Sequence, residues 1–484
     1  MMKKIDPTLL IILLVLCSAI QTSGASGLGD PARPKWVPNE IVVKFKKDIS
    51  EDRIAHINQR HGTSVLYTSP FAGFKRLQVP PGRAAKQLAE LYNNSEPDVL
   101  YAELNYYAYA FFVPNDPYYL YQWNMYETAA GINIEPAWEI TTGEPNIIIA
   151  VLDTGIAYET YKAFEQAPDL ANTHFVPGYD FANNDSHPND DDGHGTHVAG
   201  TLAQSTNNNL GAAGIAFNCS LMPVKVLSKR GEAPYTTIAD GVYFAADNGA
   251  KVINMSLGGP FDSITLRNAV AYAHGKSVTI ICAAGNEYQS GNPPSYPAAY
   301  DDYCIAVGAT RYDRTRAYYS NTGSYLDIVA PGGDLNVDQN GDGYGDGILQ
   351  QTFGSSPKDW SYWFYTGTSM AAPHVSGIAG LLLSNGLTDP NAIRKALQNT
   401  ARDLGTPGWD EEYGWGLVDA YAALNYYHSL GDFTGDGLVT FEDLAILSSY
   451  WLTNEPFADI APQPNGDGIV NFLDFAKFAN YWLE

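Results

Sequence analysis

The sequence predicts an open parallel α/β sheet with helices on both faces, preceded by a small α+β domain and followed by a small all-α module. From Asn146 onward, continuous apolar runs of strand length alternate with helix-length stretches, the pattern of parallel strands buried on both faces and joined by crossover helices. Ahead of it, shorter strands and helices follow the order of a split βαβ sandwich, which is ferredoxin-like. Behind it, a repeat ends twice in Tyr-Trp-Leu, at Tyr450-Trp451-Leu452 and Tyr481-Trp482-Leu483.

A chain of 484 residues has room for several domains. Its apolar and aromatic fractions of 45% and 13% exclude wholesale disorder. A net charge of -25 makes nucleic acid an unsuitable partner. Much of the acid lies in Asp/Asn/Gly clusters, a composition that suits hard cations. Lys3 and Lys4, the apolar run 9–16 and the small residues 23–26 read as a secretory signal over residues 1–25, so a secreted protein is expected. That run is too short to span a bilayer, and no other segment is long and apolar enough. Cys17 would leave with the signal. Cys219, Cys282 and Cys304 remain, an odd set without ligand spacing in apolar surroundings, and are expected as buried free thiols.

Taken in order, residues 41–45, 74–79 and 99–108 read as strands and residues 50–60 and 83–93 as helices, within a first domain over 37–113. The prolines of Pro114-Asn115-Asp116-Pro117 mark its boundary with a domain over 114–428. There the apolar strand 147–152 ends in Asp153-Thr154-Gly155. Further buried strands are expected at 221–226, 251–255, 278–283 and 304–307, with helices such as 237–248 and 266–274 between them. Sites in open sheets of this kind form at the carboxyl ends of strands, where Asp153 stands.

Three stretches carry chemistry. In Thr366-Gly367-Thr368-Ser369-Met370-Ala371-Ala372-Pro373-His374, small residues surround one Ser at the start of an apolar helix, with Pro373 expected in its first turn. Ser369 there is either the cap of a core helix or a nucleophile favoured by the free N–H groups of a helix start. In Asp191-Asp192-Gly193-His194-Gly195-Thr196-His197 the two His lack the Glu of the His-Glu-x-x-His zinc pattern. A neutral His beside an activated Ser accounts better for the stretch, with the Asp153 carboxylate to orient it. In Ala283-Ala284-Gly285-Asn286-Glu287, directly after a strand, Asn286 is either a turn former or a donor to an oxyanion.

Together these stretches resemble the subtilisin-like serine proteases, whose triad runs in the chain order Asp, His, Ser. The resemblance covers roughly residues 116–427 and implies a triad of Asp153, His194 and Ser369. It places Asn286 and the Ser369 backbone N–H in the oxyanion hole, and His197 and His374 in packed, non-catalytic positions. Ser256, Leu257, Gly258 and Gly259 match the strand that pairs with substrate and walls the primary pocket. Glu287 matches a rim position, where a carboxylate favours basic or polar side chains. A calcium site is implied with Asp116, Asp169 and the Asn208 side chain as ligands and carbonyls from Thr206, Leu210 and Ala212. The segment before Asp116 resembles the subtilisin propeptide, an inhibitor and folding aid whose tail around residues 109–113 is expected in the substrate cleft, with maturation near Asn115.

Residues 338–346, Asp-Gln-Asn-Gly-Asp-Gly-Tyr-Gly-Asp, place oxygens at alternate positions and Gly at the sixth, as in a calcium loop, but Leu349 stands at the twelfth. Calcium binding and a plain Gly/Asp insertion both account for them. In the tail, over 430–484, residues 431–452 recur at 464–483. Asp432, Thr434, Asp436, the Leu438 carbonyl, Thr440 and Asp443 fall at calcium-loop positions one, three, five, seven, nine and twelve. The second copy keeps Asn465, Asp467, Asn471 and Asp474 in phase but has Gln463 first. The pair resembles a type I dockerin, which implies calcium-dependent docking onto a cohesin domain. The chain is thus expected to be a secreted serine endopeptidase acting on protein or peptide substrates, made as a zymogen and tethered through its tail. The competing expectation is a catalytically silent binding module built on the same fold.

Overall fold

The computed structural model describes residues 3–4, 36–106, 112–428, 439, 441–453, 460–461 and 468–479. The chain divides into two compact units, residues 30–111 and the remainder. In the smaller unit, β1 (Trp36–Phe45), α1 (Glu51–His61), β2 (Ser64–Thr68), β3 (Lys75–Gln78), α2 (Ala85–Ser95) and β4 (Val99–Tyr106) follow in turn. The strands form an antiparallel sheet in the order β2-β3-β1-β4, the expected ferredoxin-like arrangement. Ser50 caps α1 by accepting the Arg53 N–H at 3.2 Å, and Gly62, at φ 72, ends it. Alternate β1 residues Ile41, Val43 and Phe45 meet Ile54, Ile57, Leu88 and Tyr92 of the helices. Strand β2 is not expected from the sequence. Every residue of it is exposed, so it lacks the apolar alternation by which a half-buried strand is read.

The larger unit begins at Phe112, before the boundary expected at residue 114. The Phe112 ring lies 5.5 Å from that of Trp138 and its N–H donates to Glu139. After the short helices α3 (Trp123–Tyr126) and α4 (Ile134–Trp138) comes β5 (Ile148–Asp153), followed by β6 (His174–Phe175) and β7 (Tyr179–Asp180). Then follow β8 (Ser220–Lys225), β9 (Val252–Met255), β10 (Thr279–Ala283), β11 (Cys304–Thr310) and β12 (Ile328–Pro331). All pair in parallel in the order β12-β11-β10-β9-β5-β8-β6, with β7 also on β8. Side chains leave β5 to opposite faces. Ile149 and Val151 enter a core with α5 (His194–Ala203), and Ala150 and Leu152 enter a second core with α6 (Tyr235–Asp247) and α7 (Ile264–Gly275). The cysteines Cys219, Cys282 and Cys304 are free and buried.

A hairpin of β13 (Ile348–Phe353) and β14 (Trp360–Tyr365) is also unexpected. Its buried Gln350, Gln351 and Thr352 interrupt the apolar run that would have signalled a strand. Their side chains donate to the Ala213 carbonyl, the Tyr362 hydroxyl and the Gly193 carbonyl. The hairpin leads into α8 (Thr368–Ser384), followed by α9 (Pro390–Asn399) and α10 (Ala420–His428). Because α8 already starts at Thr368, Pro373 falls inside the helix and not in its first turn.

In the tail, α11 (Phe441–Ser449) and α12 (Phe472–Ala479) share a small core of Val439, Leu447, Ile460, Val470 and Phe478. Asp443 and Asp474 are buried, and Asp474 accepts the N–H groups of Asn471 and Ala461 at 2.7 Å each. Asp432, Thr434, Asp436, Leu438, Asn465 and Asp467 lie outside the described residues. No helix of the described residues is long and apolar enough to cross a membrane.

Ile149, wholly buried in the central strand, tests this packing. Ile149→Ala, in a Ser369→Ala background, is expected to lose about 2–5 kcal/mol of unfolding free energy in a denaturant titration. A loss under about 1 kcal/mol would contradict the packing described.

Candidate active site

Strand β5 delivers Asp153 to its carboxyl end, where the side chain is wholly buried. A buried carboxylate must be compensated. Its Oδ1 accepts the Thr154 N–H and bonds to His194 Nδ1, both at 2.7 Å, while Oδ2 has no hydrogen-bond partner among the described residues. His194 opens α5, directly after Gly193 in the left-handed region at φ 107. Burial opposes the charge of its imidazole, but the Asp153 carboxylate, their hydrogen bond and the nearby Asp192 and Asp190 outweigh it and push the group up to about 9.

Two residues that the sequence reading passed over hold this pair in register. Asp190 is wholly buried. Its Oδ1 accepts from the Thr154 hydroxyl and the N–H groups of Asp192 and Gly193, and its Oδ2 from the N–H and hydroxyl of Thr196, over 2.6–3.0 Å. It thereby ties the loop after Asp153 to the first turn of α5. Lys225, buried at the end of β8, donates to the Thr154 carbonyl and to Asp191. An Asp within a run of acids and a Lys closing an apolar strand give little sequence signal, since both residue types are ordinarily solvated.

His197 and His374 are packed, as expected. His197 Nε2 lies 3.1 Å from the carbonyls of Ile348 and Trp363, and its ring stacks on Tyr365. His374 bonds to the Met370 carbonyl and the Asn124 side chain, both at 2.8 Å. Burial lowers both, to about 3 and about 4.

Ser369 is the second residue of α8. The helical partner for its carbonyl would be the N–H four residues on, which Pro373 lacks. The Ser256 hydroxyl takes that place at 2.8 Å, while the Ser369 hydroxyl donates back to the Ser256 carbonyl at 3.2 Å. Behind them, Asn254 donates to the Ser256 hydroxyl at 3.0 Å and Ser376 to Asn254 at 2.8 Å. Ser369 and His194 line one cleft, and no hydrogen bond joins them among the described residues. Asn286 shares the cleft, and its Oδ1 accepts from the N–H and hydroxyl of Thr368 at 2.9 and 3.0 Å. That leaves its Nδ2 to point elsewhere.

The cleft encloses about 640 Å³ and brings together Ser256, Leu257, Gly258 and Gly259 with Ala283, Pro293 and Ser295. Glu287 also lines it, yet its Oε2 turns back to accept the Asn286 N–H at 2.8 Å rather than standing free at the rim. Phe112, expected in the cleft with residues 109–113, packs instead on Trp138 and Phe217, because its ring finds a buried aromatic pocket there. Residues 109–111 lie outside the described residues.

Among the described residues no three His, Cys, Asp or Glu side chains are set to hold a metal ion. Asp116 and Asp169 are buried beside Asn208, whose N–H reaches Asp116 at 3.2 Å and whose side-chain amide reaches Asp169 at 2.8 Å. Leu210 N–H bonds to the Asn208 Oδ1, Ala212 N–H to Asp169, and the Thr206 hydroxyl to the Gln204 carbonyl. Burial raises both acids, Asp169 to about 7. The 338–346 turn closes on itself: Asp338 accepts the N–H groups of Gly341 and Gly343, and Asp346 that of Gln339.

Residues 144–416 match the model of the subtilase family. The chain belongs to this family. Residues 24–105 match the model of the fervidolysin N-terminal prodomain. The chain is 36% identical over 394 residues to a thermophilic serine proteinase of Bacillus sp. (strain AK1), covering 81% of this chain and 88% of that protein. To thermitase of Thermoactinomyces vulgaris it is 39% identical over 316 residues, 65% of this chain and all of that one. Among solved structures, a protease from Pseudoalteromonas arctica PAMC 21717 aligns with a TM-score of 0.55 and 35% identity, over 65% of this chain and 99% of that one. The subtilase reading from the sequence therefore stands: this is a subtilisin-like serine protease with an N-terminal prodomain.

A reaction that needs the neutral His194 imidazole loses rate as pH falls through about 9, since the raised pKa keeps the ring protonated below it. Asp192 adds to that rise, so Asp192→Asn is expected to move the acid limb of the kcat/KM profile to lower pH. An unmoved limb contradicts this electrostatic account.

Proposed function

We propose that Ser369 is the nucleophile of peptide-bond hydrolysis, with His194 as base and then acid, Asp153 as its orienting carboxylate, and Asn286 with the Ser369 N–H as the oxyanion hole. The 2.7 Å bond between buried Asp153 and His194 Nδ1 carries this reading, because it leaves Nε2 as the proton-accepting atom. As substrate enters, the Ser369 hydroxyl leaves the Ser256 carbonyl for His194. Attack on the scissile carbonyl places negative charge on its oxygen, which the Asn286 amide meets. His194 then returns the proton to the leaving amine, and water repeats the sequence on the acyl-enzyme. Ser256, Leu257 and Gly258 wall the pocket for the substrate side chain.

The prodomain, in this reading, inhibits the enzyme until it is removed, and the protein is secreted. Relatives named as extracellular proteases, in Natrialba magadii and in Xanthomonas campestris pv. campestris, support secretion. The tail acts as a dockerin that binds a cohesin partner when calcium fills its loops. Asp443 and Asp474, buried at equivalent places of the two copies, support a loop function for both. Calcium is further proposed at Asp116, Asp169 and Asn208, with the Thr206, Leu210 and Ala212 carbonyls around it. Two buried carboxylates bridged by one asparagine fit a divalent cation, which would remove the burial penalty that raises both acids.

Fluorophosphonate labelling of matured protein tests the assignment. Labelling that disappears in Ser369→Ala supports it, and unlabelled matured protein leaves only a binding module. For calcium, EDTA is expected to lower the melting temperature of the Ser369→Ala protein by several degrees, since a ligand at about 1,000 times its Kd stabilises by about 4 kcal/mol. Asp169→Asn should shrink that difference, and a melting temperature indifferent to EDTA removes the ion from the reading.

A further inference from the structure

The turn that carries Asn286 is held, besides Thr368, by one residue from the segment between β11 and β12. Asn321 lies between β11 and β12 and is wholly buried. Its backbone N–H donates to the Gly285 carbonyl at 3.0 Å, and its Oδ1 accepts the Glu287 N–H at 2.7 Å. Its Nδ2 donates to the Pro293 carbonyl at 3.0 Å and to the Glu287 carboxylate at 3.3 Å. Asn286 is thus flanked on both sides by residues bonded to Asn321, and its own N–H is taken by the same Glu287 Oε2 that Asn321 contacts. The approach is close enough to dictate the neighbouring residue: a Cβ on Gly285, which has φ +104, would stand 2.5 Å from Asn321 Nδ2.

Pro293 lies on the wall of the substrate cleft. The two ends of the Asn321 amide therefore grip different parts of the site, Oδ1 the turn bearing Asn286 and Nδ2 the wall beside the substrate side chain. The adjoining residue reinforces the grip: Thr322 N–H donates to Asn292 Oδ1 at 2.9 Å, and Asn292 Nδ2 donates to the Thr322 hydroxyl at 2.9 Å. A planar amide with both ends bonded cannot rotate without breaking bonds on both, and in a buried site each broken bond leaves an unsatisfied group.

We propose that Asn321 is a positioning residue for the reaction: it sets the backbone of Asn286 so that the side-chain amide meets the oxyanion, and it locks that turn to the cleft wall. This rests on Asn286 as the oxyanion donor, read above. Glu287 then serves the same turn as an internal acceptor.

The test is a double-mutant cycle on a peptide anilide substrate. Asn286→Ala alone is expected to lower kcat by about 10²–10³-fold. Asn321→Ala is expected to lower kcat by roughly tenfold with KM changed less than about twofold, within the 10²-fold that a misplacement of about 1 Å can cost. In the Asn286→Ala background, Asn321→Ala should add nothing further, because the group it positions is gone. Asn321→Asp keeps the acceptor for the Glu287 N–H but sets a carboxylate against that of Glu287. Adding Glu287→Gln removes the like charge and should restore part of kcat. If Asn286→Ala leaves kcat unchanged, the oxyanion reading itself fails. If Asn286→Ala slows the enzyme while Asn321→Ala leaves kcat unchanged, raises KM alone, or multiplies with Asn286→Ala, the positioning role is overturned. Loss of melting temperature in the Ser369→Ala background, followed in parallel, separates lost stability from lost positioning, since stability alone would not yield the Glu287→Gln rescue.

Discussion

A negative charge that water cannot reach governs the site. Asp153 ends a central, buried strand of the sheet, and a carboxylate there is tolerable only if its surroundings supply donors. His194 is one, and its place at the start of α5 is dictated by where β5 stops. Asp190 raises the same demand a second time and meets it with donors drawn from the β5 loop and the α5 turn together. The two acids therefore bind the end of the strand to the start of the helix, and the geometry of the Asp–His pair follows from electrostatic necessity as much as from packing. The same charges raise the His194 pKa, so the arrangement that orients the imidazole also favours its protonated form.

How much of this was legible in the sequence depended on whether a residue advertises its burial. The apolar run at 147–152, ending in Asp, could be read as a buried strand closing on a site, and three motifs in a fixed order named the chemistry. The ferredoxin-like first domain was readable except for Ser64–Thr68, whose exposed residues follow no alternation. The hairpin at Ile348–Phe353 escaped because its inward Gln350, Gln351 and Thr352 are polar groups bonded to other residues inside the fold, a circumstance no local pattern records. Asp190, Lys225 and Asn321 were missed for the same reason. Each has a partner far along the chain, and burial of a polar side chain inside a core cannot be inferred from its letter alone. The expected place of Phe112 in the cleft failed against a stronger claim on its ring, the pocket beside Trp138 and Phe217.

A common device recurs in the site: backbone groups left over by irregular geometry are taken up by side chains from another element. Thr368 takes up the Gly285 N–H, Thr352 the Gly193 carbonyl, and Asn321 the Glu287 N–H and the Pro293 carbonyl. Each bond crosses between elements that are distant in sequence, so the site becomes well formed only once the sheet and its helices are assembled. This fits a protein whose prodomain is a separately packed unit with its own core.

Pro373 illustrates what such irregularity entails. An ordinary helix repairs itself, because a carbonyl that loses an outside partner can fall back on the amide one turn ahead. The proline abolishes that refuge for Ser369, so its carbonyl has no local alternative to the Ser256 hydroxyl. The Ser369 main chain is consequently answerable to Ser256, beyond its own helix, rather than to the helix itself. Its position is a property of the joint between two elements, and any drift of one against the other is registered first at Ser369.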